Sequence, residues 1–475
     1  MLYSRRGLLS VAGASVAAAA LPMAWTYAHA DAGTPTAPWD QVFQVPLALP
    51  RPLRPRRFAS YDAYELTTAE ADVELTPGTR TRVRAYNGRL SPLLVARQGR
   101  PVVIRQRNRL PVPFSMHLHG GHVPASSDGH PRHQVEPGGE RVFRYPNAQR
   151  ASTMWLHDHT LHDHVENIYR GLAASYVLTD DFEDRLPLPK GQYDVMLQLR
   201  DAELAADGSL LFDPHGFMRR NVYLVNGRPR PYFQVAARKY RLRLLNTANE
   251  RFFLLRLRSG DSLVQIASDG GLLPAPAPTP VLPLWPAERK EVVVDFSAHP
   301  VGSQVVLENL ATFPGEAPEV MRFDVVRDAA DPSSVPARLR EVPEQKEAVV
   351  EREFTLKFDP ATGQHLINGA AFDMDRIDIR PTLDRPEIWK ITNGDTELNI
   401  PHSLHVHLNH FTVLDRNGAP PPPGEAGLKD TVVVAPGETA RIKVTFTDYE
   451  GLFMYHCHML EHQMMGMMGQ MQIGA

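Results

Sequence analysis

The chain has 475 residues, a net charge of -3 and a hydrophobic content of 43%. This length indicates about three domains of roughly 150 residues each, and the nearly balanced charge excludes nucleic acid as the expected partner. Cys457 is the single cysteine of the sequence. An intrachain disulfide is therefore excluded, and the thiol must serve another purpose.

The N-terminal segment predicts export. The run Ser4-Arg5-Arg6-Gly7-Leu8-Leu9 resembles a twin-arginine motif, an apolar run follows it, and Ala28-His29-Ala30 fits a cleavage site. We predict a signal peptide over residues 1–30, a Pro-rich leader over residues 31–57, and a protein exported folded to the periplasm or beyond. No later stretch approaches the about 20 apolar residues of a membrane span, so we expect no membrane anchor after signal removal.

Short segments with a period of two residues fill the rest of the chain. In residues 239–244 three apolar side chains share one strand face and three cations share the other. Residues 441–446 repeat this alternation, with two cations and a threonine on the polar face. Such segments, separated by many of the 42 prolines and 32 glycines, predict an all-β protein made of β-sandwiches. We place three domains at residues 58–180, 190–328 and 345–475. The Pro-rich stretch 272–286 is predicted to be a long loop of the second domain.

The surroundings of Cys457 indicate a copper site. His462 follows the cysteine by five residues and Met467 by ten, and a cysteine, two histidines and a weak axial thioether form a blue-copper ligand set. The second histidine of this set must come from elsewhere in the chain. His456 and His458 flank the cysteine, and in a strand they share the face opposite to it. One short strand would then connect two metal sites through covalent bonds.

The histidines are clustered along the sequence. Sixteen of the twenty lie within residues 117–164, 402–410 and 456–462. Four motifs stand out, each with a His-x-His pair: His117 and His119, His157 and His159, His405 and His407, and His456 and His458. A fifth pair, His162 and His164, imitates the one before it, and the family does not use it for ligands. Eight imidazoles are too many for one metal ion and sufficient for a cluster of three copper ions. Because the first and last domains each supply half of them, the cluster should lie between these two domains.

In this order the four motifs resemble those of the multicopper oxidases, the family of laccases, bilirubin oxidase and periplasmic cuprous oxidases. Residues 155–178 are similar to the branch of bilirubin oxidase and spore-coat laccase, whereas residues 427–431 look more like the bacterial cuprous oxidases. The resemblance implies three cupredoxin-like Greek-key β-sandwiches. It also implies four copper ions, one of type 1, one of type 2 and two of type 3.

The resemblance assigns a role to each candidate ligand. The type 1 copper would be held by His402, Cys457 and His462 with Met467 as axial ligand, the type 2 copper by His117 and His405, one type 3 copper by His119, His157 and His458, and the other by His159, His407 and His456. Met468 is the alternative axial residue, but a spacing of ten residues from the cysteine is that of the family. In this family the cysteine and its flanking histidines carry electrons from the reductant to the cluster, where O₂ is reduced to water.

Reduction of O₂ also requires protons at a buried site. Asp128 matches the acid that relatives of the laccase type use for this purpose, and the alternative is a plain turn residue before Gly129. These relatives usually carry a glutamate where this chain has Gln463, which cannot act as an acid. We hypothesise slower or differently pH-dependent oxygen reduction as a consequence.

The predicted function is oxidation of phenols or aromatic amines in the manner of a laccase. A cuprous oxidase of copper tolerance and a bilirubin oxidase-like activity remain alternatives. Seven of the fifteen methionines lie between Met454 and Met471, where they could dock Cu(I) or, as we favour, pack the protein. Asp430 is expected to contact solvent or a surface cation, with a role beside the substrate as the alternative.

Other functional classes fit the sequence less well. A copper nitrite reductase lacks the eight-histidine cluster, an exported relative with a scaffold or cell-division role has lost copper ligands, and a copper carrier has no need for a thiolate connected to a cluster. The expected partners are therefore a small-molecule reductant, which is a phenol, an aromatic amine or Cu(I), together with O₂. We expect a monomer.

Overall fold

The computed structural model describes residue 39, residues 41–313 and residues 316–474. These residues form six β-sheets, which follow one another along the chain in three pairs. The prediction of an all-β protein with three β-sandwiches is therefore confirmed. The predicted signal peptide and the beginning of the predicted leader, residues 31–38 and 40, lie outside the described residues.

Nine strands form the first sandwich. They are β1 (Arg56–Arg57), β2 (Asp62–Val73), β3 (Thr81–Tyr86), β4 (Leu93–Arg97), β5 (Val102–Asn108), β6 (Met116–His119), β7 (Glu140–Tyr145), β8 (Ser152–Asp158) and β9 (Ala173–Thr179). One sheet has the order β1-β2-β5-β7 with β3 attached to β2, and the other has the order β4-β9-β8-β6. In β2, Tyr64 and Leu66 are buried and the residue between them is exposed, because only one face of this strand meets the core.

The middle sandwich has thirteen strands. They are β10 (Asp194–Leu204), β11 (Leu210–Leu211), β12 (Val222–Val225), β13 (Arg228–Pro229), β14 (Tyr232–Ala237), β15 (Lys239–Asn246), β16 (Phe253–Leu257), β17 (Leu263–Ser268), β18 (Gly271–Thr279), β19 (Leu282–Leu284), β20 (Arg289–Asp295), β21 (Gln304–Asn309) and β22 (Glu319–Asp328). Its larger sheet has the order β13-β12-β10-β15-β20-β17-β18 with β11 attached to β10, and its smaller sheet has the order β14-β22-β21-β16-β19.

The prediction that residues 272–286 form a loop is wrong, because most of this stretch lies in β18 and β19. β18 is the last strand of its sheet, a position at which proline is tolerated. Pro274, Pro276 and Pro278 alternate along β18, so the missing N–H groups all fall on the same side of the strand. The proline content therefore marked a sheet edge.

Nine strands form the last sandwich. They are β23 (Val350–Asp359), β24 (Gln364–Ile367), β25 (Glu387–Asn393), β26 (His402–Val406), β27 (Thr412–Arg416), β28 (Thr431–Val434), β29 (Thr439–Val444), β30 (Gly451–Cys457) and β31 (Met468–Ile473). The sheet orders are β24-β23-β25-β29-β27 and β28-β26-β30-β31. In β25, Trp389 and Ile391 are fully buried while the lysine between them is not, the alternation of a strand with one face in the core.

Helices are few and short in the described part of the chain. The α-helices are α1 (His164–Tyr169), α2 (Asp181–Arg185) and α3 (Leu460–Met464), and 3₁₀ turns occupy Ala125–Ser127, Pro131–His133, Gly191–Tyr193, Phe217–Arg219, Phe296–Ala298 and Pro423–Glu425. Among these described helices, none has the length and apolar character needed to cross a bilayer.

Connections between the sandwiches contain no strand, since residues 180–193 and 329–349 are all described and carry none. The predicted domain limits stay predictions. The described part of the leader runs from the middle to the first sandwich, where Pro46 forms a β-bridge with Tyr232 and Pro52 forms one with Leu93. The leader therefore contacts both of these sandwiches.

Candidate metal centres

The strands that carry the histidine motifs are buried on both faces. In β6, Met116 and Leu118 belong to the hydrophobic core of the first sandwich. Because side chains alternate along a strand, His117 and His119 take the opposite face. β8 follows the same rule, with Met154 and Leu156 in the core. The histidine faces of this sheet therefore point away from the first sandwich core.

The last sandwich divides its ligand-type side chains between the two strand faces. Leu404 and Val406 of β26 enter the core, as does Cys457 of β30, so His405 and His407 occupy the opposite face. His402 has the same parity as Leu404 and lies on the core face with the cysteine. Strand alternation thus separates a thiol site inside the sandwich from imidazoles outside it.

The two histidine faces meet between the first and last sandwiches. The closest ring pairs join His117 to His407, with centroids 3.9 Å apart, and His119 to His405, with centroids 3.7 Å apart. Eight imidazoles converge there, each at most 1% exposed: His117, His119, His157, His159, His405, His407, His456 and His458. The structure therefore brings together all eight histidines of the predicted cluster.

Within this cluster, sets of three residues have ligand atoms within 4.8 Å of one another. They are His119, His157 and His458; His159, His407 and His456; His117, His119 and His405; and His117, Asp128 and His407. The first two sets have the composition of the two predicted type 3 sites. The third contains the predicted type 2 pair together with His119.

Burial favours the neutral form of seven of the eight imidazoles in the cluster. Burial lowers the pKa of His119 to about 3, against the raising effect of Asp430, and it lowers the pKa of His407 to about 4. The pKa of each of five further imidazoles falls well below its usual value for the same reason: His157, His159, His405, His456 and His458. Neutral imidazole is the form that binds a metal.

Asp128 lies beside the cluster and is fully buried. Its Oδ2 is 2.8 Å from Nδ1 of His407, and its backbone oxygen accepts a hydrogen bond from Nδ1 of His117. Burial raises the pKa of Asp128, but the neighbouring His407 and His117 outweigh this effect and hold it well below the usual range. Asp128 is therefore an anion that orients two histidine rings.

The expectation that Asp430 contacts solvent is wrong. This residue is 1% exposed, and its Oδ1 is 3.1 Å from Nε2 of His119. Its carboxylate forms a two-pronged ion pair with the buried Arg289. Apart from the neighbouring lysine, nothing in the sequence indicated that this aspartate is buried, because the compensating arginine is 141 positions away.

A second centre lies inside the last sandwich. Nδ1 of His402 and Nδ1 of His462 are 3.2 Å apart, and they lie 4.0 and 3.7 Å from Sγ of Cys457. Met467 is fully buried, and its backbone accepts a hydrogen bond from N of Cys457 and donates one to O of His462. The structure therefore brings the predicted thiol and imidazole ligands together and holds the predicted axial methionine next to them along the backbone.

Two residues at this centre, Asp395 and His365, were not predicted from the sequence. Asp395 accepts a hydrogen bond from Nε2 of His402 at 2.6 Å. The ring of His365 stacks on His462 with centroids 3.9 Å apart and an interplanar angle of 13°. His365 lies outside the three histidine patches. Asp395 precedes its partner by seven residues, and because residues 394–401 form a loop, neither strand nor helix periodicity relates the two. No sequence signal could have found them.

The methionines of the C-terminal segment mostly pack the protein. Met454, Met467 and Met471 are fully buried, while Met464 and Met465 are partly exposed. Gln463 is buried, and its amide nitrogen is 3.7 Å from Sδ of Met468. In the described residues, the exposed thioethers of this segment are thus too few to form a large soft docking surface for Cu(I).

Comparison with known proteins identifies the family. Two family models described as multicopper oxidase match residues 67–182 and 342–475. A laccase of Bacillus subtilis is 32% identical over 504 residues, which covers 90% of this chain and 97% of the laccase. The chain is a multicopper oxidase.

Other relatives agree with this assignment. The bilirubin oxidase of Albifimbria verrucaria is 34% identical to this oxidase over 464 residues, covering 90% of this chain and 80% of that protein. The crystal structure of a laccase from Pediococcus acidilactici superposes with a TM-score of 0.84 at 33% identity, covering 90% of this chain and 93% of the laccase. The predicted family and the predicted cupredoxin-like fold class are confirmed. The protein is therefore an oxidoreductase, and its family implies copper, a reducing substrate and O₂.

The buried imidazoles of this oxidase fit copper. Several ring nitrogens inside the cluster have no hydrogen-bond partner among the described residues: Nε2 of His117, Nδ1 of His119, Nε2 of His157, Nδ1 of His159, Nε2 of His405 and both nitrogens of His458. Leaving so many buried polar atoms without partners is costly unless a ligand satisfies them. Imidazole nitrogens grouped within 4.8 Å of one another are suited to copper.

Proposed function

We propose that the protein is a laccase-like oxidase that couples one-electron oxidation of phenolic or aromatic substrates to the four-electron reduction of O₂ to water. Four copper ions would be held as follows: type 1 by His402, Cys457, His462 and axial Met467; type 2 by His117 and His405; type 3 by His119, His157 and His458, and by His159, His407 and His456. The observation that carries this proposal is the division of β30, with Cys457 on the core face and His456 facing the cluster.

Bound copper supplies one-electron transfer at the thiol site and O₂ reduction at the cluster. Cys457 and its two neighbours provide the covalent connection between the sites, one peptide unit in either direction. Burial raises the pKa of the Cys457 thiol to about 12, so ligation of copper by the Cys457 thiolate would be accompanied by release of its proton. Asp128 lies between His407 and His117, and because its pKa is lowered it would hold a proton only briefly before passing it towards the cluster.

Access to the thiol site supports a small organic substrate. His462 is 6% exposed, and its Nε2 is 3.9 Å from a carboxylate oxygen of Glu250. Two residues further, Phe252 stacks on Trp285, and both rings are partly exposed. Burial and the neighbouring Glu461 raise the pKa of Glu250 well above its usual value, which favours a carboxylic acid that can hydrogen-bond to a hydroxyl or amino group. Together with the aromatic faces, this group suits the flat, polar ring of a phenol or an aromatic amine.

Cuprous oxidase activity is the second candidate, and the partly exposed Met464 and Met465 favour it. A bilirubin oxidase-like activity is supported by the relative of that name. For location, the twin-arginine motif at Arg5 and Arg6 supports export of the folded protein to the periplasm or beyond. We propose that the exported protein is a monomer without a membrane anchor.

O₂ uptake by the purified, copper-loaded protein tests this proposal. A phenol and Cu(I) are offered separately, and the phenol assay is repeated with added Cu(II). We expect uptake on phenol without added Cu(II), and none in the variant Cys457→Ser, which loses the soft ligand of the thiol site. Uptake on Cu(I), with phenol oxidation only after Cu(II) is added, would assign the cuprous function. Absence of uptake on either substrate at full copper loading would refute both.

A further inference from the structure

Arg289 is a fully buried arginine at the start of β20 in the middle sandwich. All five of its N–H groups are used. Nε donates to the backbone oxygen of Thr153 at 2.8 Å, and the two terminal nitrogens donate to the backbone oxygens of Ala287 and Asp269 and to both carboxylate oxygens of Asp430. These acceptors belong to all three sandwiches, so the guanidinium is fixed by each of them.

Asp430, the main partner of Arg289, contacts two histidines of the cluster. Its Oδ1 accepts from Nε2 of His119 at 3.1 Å, and its backbone oxygen accepts from Nδ1 of His405 at 2.8 Å. The opposite ring nitrogens, Nδ1 of His119 and Nε2 of His405, are those without a partner in the described residues. One aspartate therefore fixes the orientation of both rings through the ring nitrogen opposite to the unpartnered one.

Space around this ion pair is tightly limited. Gly120 follows His119 with a φ of +82°, and a Cβ atom there would come within 2.7 Å of a guanidinium nitrogen of Arg289 and 2.9 Å of a carboxylate oxygen of Asp430. Glycine is thus required at position 120 for two reasons: its φ is positive, and a Cβ atom would clash with the ion pair. A side chain at position 120 would therefore displace Arg289 or Asp430.

The charges around Arg289 are balanced. Lys429 contacts Asp269 and Glu288, each at 2.9 Å, and Lys290 contacts Glu288 at 3.4 Å. Together with Arg289 and Asp430 this makes three cations and three carboxylates, all buried. A compensated buried network holds its members firmly, whereas removal of one member leaves an opposite charge without compensation.

We propose that Arg289 is a positioning residue for the trinuclear copper cluster. The middle sandwich has no copper ligand in the proposed assignment, and through Arg289 it sets the orientation of His119 and His405. This inference rests on the proposed function, which assigns His405 to the type 2 copper and His119 to a type 3 copper. Arg289 touches no copper ligand directly and acts through Asp430.

The variant Arg289→Lys tests this proposal, since lysine keeps the charge and loses the planar two-pronged pairing. We expect type 2 copper affinity to fall about 10–100-fold, the usual effect of losing a residue that supports a metal ligand. The measurement is chelator competition followed by copper counting and the type 2 EPR signal, with the blue type 1 band as internal reference. Arg243→Lys is the matched control, because Arg243 is also buried and pairs with Asp194, Glu183 and Glu291, whereas its described contacts include neither Asp430 nor a histidine.

A second variant approaches the same ion pair from the other side. Gly120→Ala should weaken type 2 copper binding in the same way, whereas Gly78→Ala, with a φ of +81° and no atom within 4 Å of the new Cβ, carries the backbone strain without the clash. Loss of the type 2 signal with a preserved type 1 band in Arg289→Lys and Gly120→Ala, but not in their controls, supports the proposal. Equal type 2 affinity in Arg289→Lys and wild type would overturn it. A wild type without type 2 copper would instead refute the proposed function on which it rests.

Discussion

Replacement of Asp395 by asparagine isolates one charge at the thiol site. Asp395 is 4% exposed. Its Oδ2 lies 2.6 Å from Nε2 of His402, and its carboxylate oxygens accept from the backbone N of Phe358 at 3.0 and 2.8 Å. Asparagine has the same shape and keeps one oxygen acceptor, so the variant removes the negative charge with little change in packing.

The size of the effect follows from the hydrogen bond. A bond to a charged acceptor contributes about 1.5–3 kcal/mol and a bond between neutral groups about 0.5–1.5 kcal/mol, so the substitution removes roughly 1–1.5 kcal/mol. The carboxylate makes His402 a more basic ligand, which favours oxidised over reduced copper. For one electron, about 1.4 kcal/mol corresponds to about 59 mV. We expect the reduction potential of the type 1 site to rise by roughly 40–60 mV in Asp395→Asn.

Redox titration of the blue absorption band measures this potential. Asp359→Asn is the control, because the Asp359 carboxylate accepts hydrogen bonds from N of Ala361 and the hydroxyl of Thr362, both at a turn. The potential of the control should equal that of the wild type. A potential in Asp395→Asn that is unchanged or lower, with intact copper loading, would refute the argument that this carboxylate tunes the site.

Three further predictions concern pH, ring stacking and proton supply. The metal-free protein should lose stability as pH falls from 7 to 4. Burial lowers the pKa of His119 to about 3 and that of His407 to about 4, whereas both values are near 6.5 in the unfolded chain, which therefore binds the protons first and lowers the free energy of unfolding by about 2 kcal/mol per imidazole at pH 5. Urea unfolding at both pH values checks this, and equal midpoints would contradict it. His365→Ala should alter the EPR hyperfine splitting of the type 1 copper, because His462 loses its stacked neighbour. His365→Phe keeps a ring at this position and should resemble the wild type. Identical spectra of the two variants and the wild type would show that the stack is unimportant. Gln463→Glu should change the turnover with O₂ or its pH profile by supplying an acid, and unchanged turnover and profile would dismiss the idea.

The spacing of residues along the sequence was sufficient to predict the fold class and the family of this protein. The sequence alone predicted the all-β fold and the multicopper oxidase family, both confirmed, because a period of two residues and the interval from Cys457 to His462 and Met467 are properties of neighbouring residues. The same periodicity predicted that His456 and His458 would face away from Cys457. Strand alternation is a backbone property, so it can be read without the fold. It also explains why the proline-rich residues 272–286 were mistaken for a loop: proline reports a missing N–H group but not the sheet edge that tolerates it.

The surroundings of the ligands were decided by tertiary structure alone. Asp430 looked like a surface residue until the fold placed Arg289 against it, and His365 had no motif to connect it with His462. Each of these contacts joins segments that are far apart in sequence, and each has meaning only once burial removes water as the competing partner. Spacing along the chain therefore determined which side chains can bind copper, whereas the packing of three sandwiches determined which charges and rings hold those side chains in place.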